Sequence, residues 1–600
     1  MDRKSIIVLV ISFVVLMAWF PLMNHLYPPK PLDTNRVAVA TNRLGEDNSL
    51  SSPSGLVTPV RLPEIGPQSG NFATPRLPEE LLTIENGNAR YTITSHGGGL
   101  KLVELKLYPE TVKCGAKNIG TTNKLATLNA SAPAPVLSFL GDETVQGDNV
   151  FELSRTPSGI QAEKTLTNGL RLIKEYQLGT NYLLKAAVRF ENRSGQPIRV
   201  PPSDLVVGTA TPMGTNDPPN MMGLYWYDGN KATHIGESWF ANRTLGCVPG
   251  TPRTKYEAGD GKIVWTAVHN QFFTLLVMLK DPAPGVVAWH IDLPRPNSIA
   301  NPGNSRRLSN LFGYQTALRY PEVIIAPNQV VAREFEIFAG PKEYNTLARL
   351  GNNQDLVMDF GGFFGFFAKA LLLSMNALHA FGIPYGLAII CITIIIKLLF
   401  WPLTQTSTRS MKRMAALQPQ MKALQEKYKD DPRKMNAKLM EFMKENKVSP
   451  LGGCLPMLIQ IPIFFGFYRM LQSAIELRGA PFLWACDLSQ PDTVGVIPGL
   501  NFPINPLPLI MGATQFWQVH LTPPSPGVDP VQQKIMKYMP LMFLVILYNF
   551  SAGLALYWTV QNLLTIVQMK LTKSVDAKSG SQPTPPAAPF RASGAPKRKK

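Results

Sequence analysis

The apolar residues of this 600-residue chain are segregated into separate runs, and this arrangement limits the possible folds more than any other feature. One run, Ile6 to Phe20, lies near the start of the chain, and several others follow Phe360. The long stretch between them contains no run of comparable length. Since a helix needs about 20 apolar residues to cross the hydrocarbon core of a bilayer, the sequence predicts a membrane protein that carries a large domain outside the bilayer.

The first apolar run has two interpretations. Ile6 to Phe20 is interrupted only by Ser12 and is preceded by Arg3-Lys4, a pattern that membrane anchors share with cleavable signal peptides. The only nearby small-x-small site, Ala38 to Ala40, lies too far beyond the run for a typical cleavage site. We therefore favour an uncleaved transmembrane anchor over residues 1–27, with its N-terminus in the cytoplasm.

A tether and a folded external domain are predicted after the anchor. Residues 28–80 are rich in Pro, Ser, Thr and Asn and lack a hydrophobic period, which is typical of a flexible segment. Residues 81–358 contain short stretches in which apolar residues recur at every second position. The clearest stretch has these residues in its alternating positions: Tyr182, Leu184, Ala186, Val188 and Phe190. A period of two indicates half-buried strands, so this domain is predicted to be a β-sandwich on the outer side of the membrane.

The character of the sequence changes in residues 359–572. This part begins with an amphipathic segment, 360–375, that is predicted to be a helix lying in the membrane interface. Five candidate spanning helices follow, at about 383–403, 451–471, 503–519, 538–550 and 553–570. Together with the anchor they make six spans, so both termini are predicted to face the same side of the membrane.

The distribution of basic residues supports this topology. The formal net charge is +18, from 59 Lys and Arg against 41 Asp and Glu. Residues 409–447 contain eleven basic and five acidic residues, and residues 570–600 contain eight basic residues and one acidic residue. Between residues 472 and 501 the only basic residue is Arg478. Because cytoplasmic loops are enriched in Lys and Arg, both basic segments, including the tail 573–600, are predicted to be cytoplasmic.

The first basic segment, 405–447, has the pattern of an antiparallel helical hairpin. Apolar residues spaced three and four apart flank a break at Asp430, Asp431 and Pro432. One interpretation is a connecting loop that packs on itself; the other is a surface that recruits ribosomes, nascent chains or anionic lipids. The candidate recruiting residues are Arg409, Lys412, Arg413, Lys422, Lys427, Lys597, Arg598, Lys599 and Lys600. No aromatic residue interleaves with the last four, so base-specific recognition and a DNA partner are not expected.

Lys397 interrupts an apolar run, between Ile396 and Leu398. An ammonium group at the centre of a membrane helix costs about 2.5–3.5 kcal/mol on insertion scales. One explanation is snorkelling towards the headgroups, because the side chain is long and Pro402 lies close by in the sequence. The other explanation is a water-filled groove.

Polar residues on the other predicted spans favour the groove. Together with Lys397 they form the candidate groove set: Thr393, Gln460, Gln515, Gln518, Tyr557 and Gln561. Each amide also has the commoner interpretation of a hydrogen bond between helices. Since no Asp or Glu occurs within the five predicted core spans, the lone cation is expected to attract an acidic or hydrated segment that enters from the cytoplasm.

Motifs of catalysis are absent from the sequence. There is no GxxxxGK[ST] phosphate loop, no HExxH and no GxSxG, so we expect neither an enzymatic activity nor a cofactor nor a bound metal. The five Cys residues are far apart, which argues against a zinc ribbon and a disulfide scaffold. The sequence alone does not decide whether Cys114 and Cys247 form a disulfide.

Four blocks of the sequence resemble the YidC/Oxa1/Alb3 family of membrane protein insertases. They are Trp401-Pro402-Leu403-Thr404, Leu451-Gly452-Gly453-Cys454-Leu455-Pro456 with Gln460-Ile461-Pro462-Ile463-Phe464, Asp529-Pro530-Val531-Gln532-Gln533-Lys534-Ile535-Met536, and Ser551-Ala552-Gly553-Leu554-Ala555-Leu556-Tyr557-Trp558. The external domain is similar to that of the Gram-negative members at two further places, Ser95-His96-Gly97-Gly98-Gly99 and Phe338-Ala339-Gly340-Pro341-Lys342.

The resemblance implies a polytopic α-helical membrane protein with six transmembrane helices, five of which form the insertase core, and a large periplasmic β-supersandwich domain. In the family, the core helices surround a hydrophilic groove that opens to the cytoplasm and to the lipid. Lys397 stands where most bacterial members have Arg. Thr393, Gln460 and Tyr557 match groove positions, and Trp558 matches an aromatic position that is usually Tyr.

The resemblance also implies the function, the partners and the location. The expected function is to insert, fold and assemble integral proteins of the bacterial inner membrane, alone or with the Sec translocon. The expected partners are nascent membrane proteins, the Sec translocon, the ribosome, anionic lipids and the receptor of the signal recognition particle. The alternative is a small-solute transporter or channel with a periplasmic sensing domain; that alternative predicts an inverted repeat, which the two halves of the chain do not display.

Overall fold

The chain divides into two units. The computed structural model describes residues 72–112, 124–141, 143–213, 218–242, 250–259, 261–293, 312–362, 364–446, 455–522 and 530–578. The predicted anchor, nearly all of the tether and most of the basic tail lie outside these residues. By their contacts, Met1–Gly365 and Gln472–Gly479 form one unit, and Phe366–Leu471 and Ala480–Lys600 form the other. We refer to them as the β-rich unit and the helical unit.

Strands are the main regular secondary structure in the described part of the β-rich unit. They are β1 Leu81–Glu85, β2 Ala89–Thr94, β3 Leu100–Pro109, β4 Leu125–Leu128, β5 Phe139–Leu140, β6 Glu152–Thr156, β7 Gly159–Thr165, β8 Leu170–Leu178, β9 Leu183–Asn192, β10 Ile198–Val200, β11 Ser203–Ala210, β12 Gly223–Tyr227, β13 Ala232–Gly236, β14 Lys255–Ala258, β15 Ile263–His269, β16 Phe273–Ala283, β17 Gly285–Asp292, β18 Phe312–Tyr320, β19 Val323–Ile325 and β20 Val330–Pro341. Three short helices accompany them: α1 Glu143–Gln146, α2 Glu237–Ala241 and α3 Tyr344–Ala348.

Antiparallel sheets build this unit. The largest has nine strands in the order β13-β12-β15-β16-β20-β9-β8-β7-β6, and a five-stranded sheet has the order β14-β17-β18-β11-β5. A four-stranded sheet, β1-β2-β3-β4, and the pair β10-β19 complete the set. Strands β11 and β18 of the five-stranded sheet pack against β15 and β16 of the nine-stranded sheet. The β-rich domain predicted for this part of the sequence is thereby confirmed.

The alternation read from the sequence matches the burial of β9. Leu184, Ala186, Val188 and Phe190 are all buried, whereas the intervening Lys185 is exposed. Successive side chains of a strand point to opposite faces of the sheet, so one face of β9 joins the core and the other remains accessible to solvent.

A buried lysine ties the nine-stranded sheet to a loop. Lys174 of β8 is fully buried, and its Nζ donates hydrogen bonds to the backbone oxygens of Gly97 and Leu137, at 2.6 and 2.7 Å. On the same strand, the Tyr176 hydroxyl donates to the backbone oxygen of Gly98, at 2.9 Å. Both glycines have positive φ, 74° and 58°, a conformation that residues with a Cβ rarely adopt.

The surroundings of Lys174 contain aromatic rings rather than a counter-charge. Its Nζ lies 4.9 Å from the ring centroid of Phe139 and 4.7 Å from that of Phe151. Burial, reinforced by the charge of Lys164, lowers the pKa of Lys174 from 10.5 to about 7. A neutral amine has two N–H donors, which matches the two carbonyl acceptors that it meets.

We predict that Lys174→Met makes the stability of the β-rich unit less dependent on pH. Between pH 7 and 10.5 the unfolded lysine binds a proton that the folded lysine has released, so the free energy of unfolding of the wild type rises with pH in this window, by at most about 1.4 kcal/mol per pH unit. At pH 9 the variant should be less stable by about 2 kcal/mol, because two buried carbonyls lose their donor. Denaturant unfolding monitored by hydrogen exchange in Leu170–Leu178 measures both effects.

The exposed Lys185 of β9 provides the matched control. Lys185→Met should follow the wild-type pH profile. Parallel profiles for Lys174→Met and the wild type would contradict the assignment of the buried amine.

The described residues of the helical unit form nine further helices and, between two of them, one small β-hairpin. The helices are α4 Gly365–Ala380, α5 Tyr385–Leu399, α6 Trp401–Ala416, α7 Gln418–Lys427, α8 Pro432–Glu445, α9 Leu455–Ser473, α10 Pro506–Leu521, α11 Pro530–Leu547 and α12 Ala552–Lys578. The hairpin consists of β21 Gly495–Ile497 and β22 Phe502–Ile504, between α9 and α10. Helix α12 packs against α5, α6 and α10.

The helices differ in detail from the predicted spans. Within the described residues no single helix is both long and apolar enough to cross a bilayer; one pair, Tyr385–Leu399 with Trp401–Arg409, satisfies the requirement jointly and is bent by 59°. The predicted run 383–403 is therefore divided between α5 and α6. Pro402 explains the bend, because it lacks a backbone N–H and its ring crowds the carbonyl one turn earlier.

The predicted helical hairpin contains one more break than expected. Helix α8 begins where the sequence indicated, and the Asp431 side chain caps it by accepting a hydrogen bond from the backbone N–H of Lys434, at 3.1 Å. The first arm is interrupted at Leu417, and Pro419 lies in the first turn of α7. Met421 and Leu439 are buried where α7 and α8 pack together.

Candidate functional site

Helix α12 carries a line of polar side chains through the helical unit. Tyr557, Gln561, Thr565 and Gln568 are spaced four, four and three residues apart, so they lie on one face of the helix. This face meets α5, α6 and α9 through the hydrogen bonds described next. The contacts are therefore made between helices that are far apart in the sequence.

Lys397 meets this face from the last turn of α5. It is only 7% exposed, and its Nζ donates a hydrogen bond to Thr565 Oγ1, at 2.9 Å. The Thr565 hydroxyl in turn donates to the backbone oxygen of Gln561, at 2.7 Å. Within the described residues no carboxylate lies within 4.0 Å of the Lys397 ammonium group. The cation is thus held by a neutral hydroxyl.

A glutamine of α9 bridges to the same face. Gln460 Nε2 donates to the Tyr557 hydroxyl, at 2.5 Å, and Gln460 Oε1 accepts from Gln561 Nε2, at 2.8 Å. The Tyr557 ring stacks on Phe467 of α9, with centroids 4.1 Å apart. The Gln460 amide therefore forms hydrogen bonds with two residues of α12 and joins α9 to α12.

A third contact joins α12 to α6. Gln568 Nε2 donates to Thr404 Oγ1, at 2.7 Å, and the Thr404 hydroxyl donates to the backbone oxygen of Phe400, at 2.9 Å. These two hydrogen-bonded groups together, which we call the polar ladder, consist of Lys397, Thr565, Gln561, Gln460 and Tyr557 in one group and Thr404 with Gln568 in the other. The amide and hydroxyl groups of the polar ladder can both donate and accept hydrogen bonds, so they can serve as partners for a foreign polar segment.

The remaining predicted groove residues lie outside the polar ladder. Thr393 is buried and donates to the backbone oxygen of Ile389, at 2.7 Å, within its own helix. Trp558 makes edge contact with Phe464, with centroids 4.8 Å apart. The side-chain oxygens of Gln515 and Gln518 on α10 are buried and accept no hydrogen bond from any described residue.

Sequence reasoning missed Thr565, which holds the ammonium group. Threonine is not a distinctive residue in an apolar helix, and only its position one turn after Gln561 could have indicated a role. Asn562 was missed as well; its Nδ2 donates to Thr514 Oγ1 of α10, at 3.2 Å. Polar contacts therefore leave α12 on two faces.

Most of the candidate recruiting residues that the structure describes are accessible. Arg409, Arg413, Lys422 and Lys427 are exposed on α6 and α7, and Lys412 is half-buried. The tail residues Lys597, Arg598, Lys599 and Lys600 lie outside the described residues. The described basic side chains therefore present positive charge on two consecutive helices.

Cysteines and other potential metal ligands occur in the described part of the chain. No group of three or more His, Cys, Asp or Glu residues stands there in a position to hold a metal ion. Cys391 is a free thiol and Cys486 is disulfide-bonded. The pairing of Cys114 with Cys247 concerns residues outside the described ones.

Comparison with known proteins gives matches over most of the chain. The family described as "60Kd inner membrane protein" matches residues 377–579, and the family described as "YidC periplasmic domain" matches residues 81–373. A protein of Pelobacter propionicus is 46% identical over 602 aligned positions, which cover 96% of this chain and 100% of the relative. A protein of Syntrophus aciditrophicus is 31% identical, covering 95% of this chain and 98% of the relative. Both are named membrane protein insertase YidC.

Among solved structures, one matching chain is described as an active YidC insertase crystal structure with the first transmembrane domain resolved. It is 17% identical, with a TM-score of 0.33, and the match covers 84% of this chain and 94% of that chain.

We predict an energetic coupling between Gln460 and Gln561. In a double-mutant cycle with Gln460→Leu and Gln561→Leu, the two changes should be non-additive by about 1 kcal/mol, because the two side chains share one hydrogen bond between α9 and α12. Reversible unfolding in mixed detergent micelles measures the four free energies of unfolding.

The control cycle pairs Gln460→Leu with Asn562→Leu. Asn562 bonds to α10 rather than to α9, so this coupling should be close to zero. Equal couplings in the two cycles would contradict a specific bond between Gln460 and Gln561.

Proposed function

The chain belongs to the YidC family of membrane protein insertases, and on that basis we propose how its polar ladder and its basic helices take part in insertion. It is a protein of the inner membrane with a periplasmic β-rich domain, it inserts membrane proteins, and it is not an enzyme. The small-solute transporter considered from the sequence is therefore set aside.

The proposed topology has six spans with both termini in the cytoplasm. Its support is the charge distribution, in which residues 409–447 carry a net charge of +6 (eleven minus five) and residues 570–600 carry +7 (eight minus one). In this topology α5 and α9–α12 form the core, and the segments that contain α6–α8 and the basic tail face the cytoplasm.

Lys397 is proposed to receive the substrate. Its ammonium group is removed from water, and a neutral hydroxyl is a weak partner for a cation compared with a carboxylate. An acidic or strongly hydrated segment of a nascent chain would replace Thr565 as its partner. The desolvated charge therefore favours the binding of a segment that lipid would reject.

The polar ladder is proposed to lower the barrier for moving a short polar segment outward. Lipid offers no hydrogen-bond partners, so an unpaired polar group there costs several kcal/mol. Gln460 and Gln561 can exchange their mutual hydrogen bond, and Thr404 its bond with Gln568, for bonds to the passing chain. The membrane potential contributes about 2.3 kcal/mol per charge and 100 mV.

The apolar segment of the substrate is proposed to leave sideways along α9 and α12. Both helices carry exposed apolar side chains: Ile461, Leu563 and Val567 are 39%, 41% and 49% exposed. A substrate helix that packs there passes from polar contacts to lipid without leaving the surface of the protein.

The basic face of α6 and α7 is proposed to bring the ribosome and its nascent chain to the groove, and the basic tail to assist. Electrostatic attraction to phosphate supports both this role and binding to anionic lipids. The Sec translocon and the receptor of the signal recognition particle are the other proposed partners.

We predict that Lys397→Glu reduces insertion of a small Sec-independent membrane protein by at least tenfold. The reversed charge would repel the acidic segment that the wild-type ammonium attracts. Lys397→Arg should support normal insertion, because it keeps the charge. The measurement is protease protection of the substrate's translocated end in cells depleted of the wild-type protein.

The matched control is Lys185→Glu, which makes the same change of charge at an exposed position of the β-rich unit. It should insert the substrate normally. Normal insertion by Lys397→Glu, at wild-type protein levels, would contradict charge capture.

Ribosome binding should depend on the exposed lysines of α7. The double variant Lys422→Gln with Lys427→Gln should bind ribosomes more weakly, and the slope of log affinity against log salt concentration should fall by about 1.5, if two phosphate contacts are lost. Co-sedimentation of the purified protein with ribosomes at increasing salt measures both quantities.

Lys438→Gln on α8 is the control, since the Lys438 ammonium is already paired with Glu441, at 2.5 Å. Its effect on the salt slope should be clearly smaller. An unchanged salt slope in the α7 double variant would argue against a phosphate-binding role of α7.

A further inference from the structure

The segment between α9 and α10, which contains the β21–β22 hairpin, exposes several large apolar side chains. Among its large apolar residues, the most exposed are Leu483, Val494, Val496, Leu500 and Phe502, at 74%, 55%, 53%, 76% and 47%. Single exposed apolar residues are ordinary on protein surfaces, but contiguous groups mark a surface that is covered in the functional state. The surface at issue is formed by β21, β22 and the turn between them.

Packing against α11 holds β22 of this hairpin in place. Tyr548, directly after α11, stacks on Phe502 with centroids 5.0 Å apart, and its hydroxyl donates to the backbone oxygen of Pro503, at 2.8 Å. The Asn505 Nδ2 donates to the backbone oxygen of Tyr548, at 2.9 Å. The exposed side chains are therefore presented by an anchored hairpin.

A buried carboxylate fastens the base of the same segment. Asp492 is 4% exposed, and its Oδ2 accepts hydrogen bonds from Trp484 Nε1, at 2.9 Å, and from the backbone N–H of Leu507, at 2.6 Å. This carboxylate thus joins the segment before the hairpin to the first turn of α10.

The absence of charged residues near the hairpin indicates what kind of partner covers its apolar side chains. Residues 493–521 contain no Lys, Arg, Asp or Glu, so the hairpin and the helix that follows it lack the charged rim that surrounds most protein interfaces. A lipid surface requires no such rim. The neighbouring helices also expose apolar residues, among them Leu509 on α10 and Val545 on α11, which are 47% and 73% exposed.

We propose that the β21–β22 hairpin inserts its apolar side chains into the lipid of the membrane and forms an extension of the lipid-facing surface of α10 and α11. The partner is the acyl region of the bilayer, just below the headgroups. The lipid-facing surface of α10 and α11 and the assignment to the periplasmic leaflet both rest on the proposed six-span topology. The hairpin would thereby fix the depth of α10 and α11 in the membrane.

Photolabelling of the unmodified protein tests the proposal. The full chain is reconstituted into vesicles of phosphatidylethanolamine and phosphatidylglycerol that contain a phosphatidylcholine with a diazirine in its acyl chain. After illumination, labelled peptides are mapped by mass spectrometry. Labelling of residues 493–504 should exceed that of the peptide around Ile324 at least fivefold; Ile324 is an isoleucine of β19 that is 64% exposed in the β-rich unit.

Residues Lys537–Leu547 of α11 serve as the internal reference for the topology. Labelling of α11 without labelling of the hairpin would overturn the proposal and leave the topology intact. Absence of label from both would overturn the proposal together with the proposed spans.

A second experiment distinguishes lipid from a protein partner. Leu500→p-benzoylphenylalanine is compared with Ile324→p-benzoylphenylalanine in the same vesicles. A lipid adduct at position 500 and none at position 324 is the expected result. A covalent dimer through position 500 would show instead that a second copy of the chain covers the hairpin, and would overturn the proposal.

Discussion

Polar groups inside a bundle of apolar helices must find their partners within the protein, and this requirement organises the helical unit. Gln460 satisfies Tyr557 and Gln561 at once, and Gln568 pairs with Thr404. These bonds join α12 to α9 and α6. Lys397 differs from these residues, because it has a hydroxyl where a buried cation would normally have a carboxylate. In the mechanism that we propose, this incomplete pairing leaves the cation able to attract its substrate.

The β-rich unit also buries a lysine, and this lysine has a complete set of partners. Lys174 is as deeply buried as any residue that the structure describes, but its amine meets two backbone carbonyls and two aromatic rings. Burial lowers its pKa to about 7, so the amine can lose its charge, and its two remaining N–H groups match the two acceptors. Lys174 therefore stabilises the fold through its hydrogen bonds, whereas Lys397 is proposed to remain available to a passing chain.

Much of the organisation could be predicted because it depends on local patterns. The period of two identified the buried face of β9, and Pro432 together with Asp431 located the start of α8. The residues of the polar ladder were predicted only in part. Lys397, Gln460, Tyr557 and Gln561 are conspicuous in apolar runs, but Thr565 is not, since threonine is common in helices of every environment. Thr393 was expected in the groove, yet its hydroxyl bonds to its own helix.

The sequence by itself determined where apolar and polar segments lie, which segments carry positive charge, and that a cation lies within an apolar run. These properties follow from composition and from spacing along one chain. Only the tertiary structure decided which partner each polar side chain has. Gln460 and Gln561 are a hundred residues apart, and Lys397 and Thr565 are farther still. A hydrogen bond forms or fails with changes of a few tenths of an ångström in the distance between donor and acceptor. Helix packing sets that distance, and sequence periodicity does not.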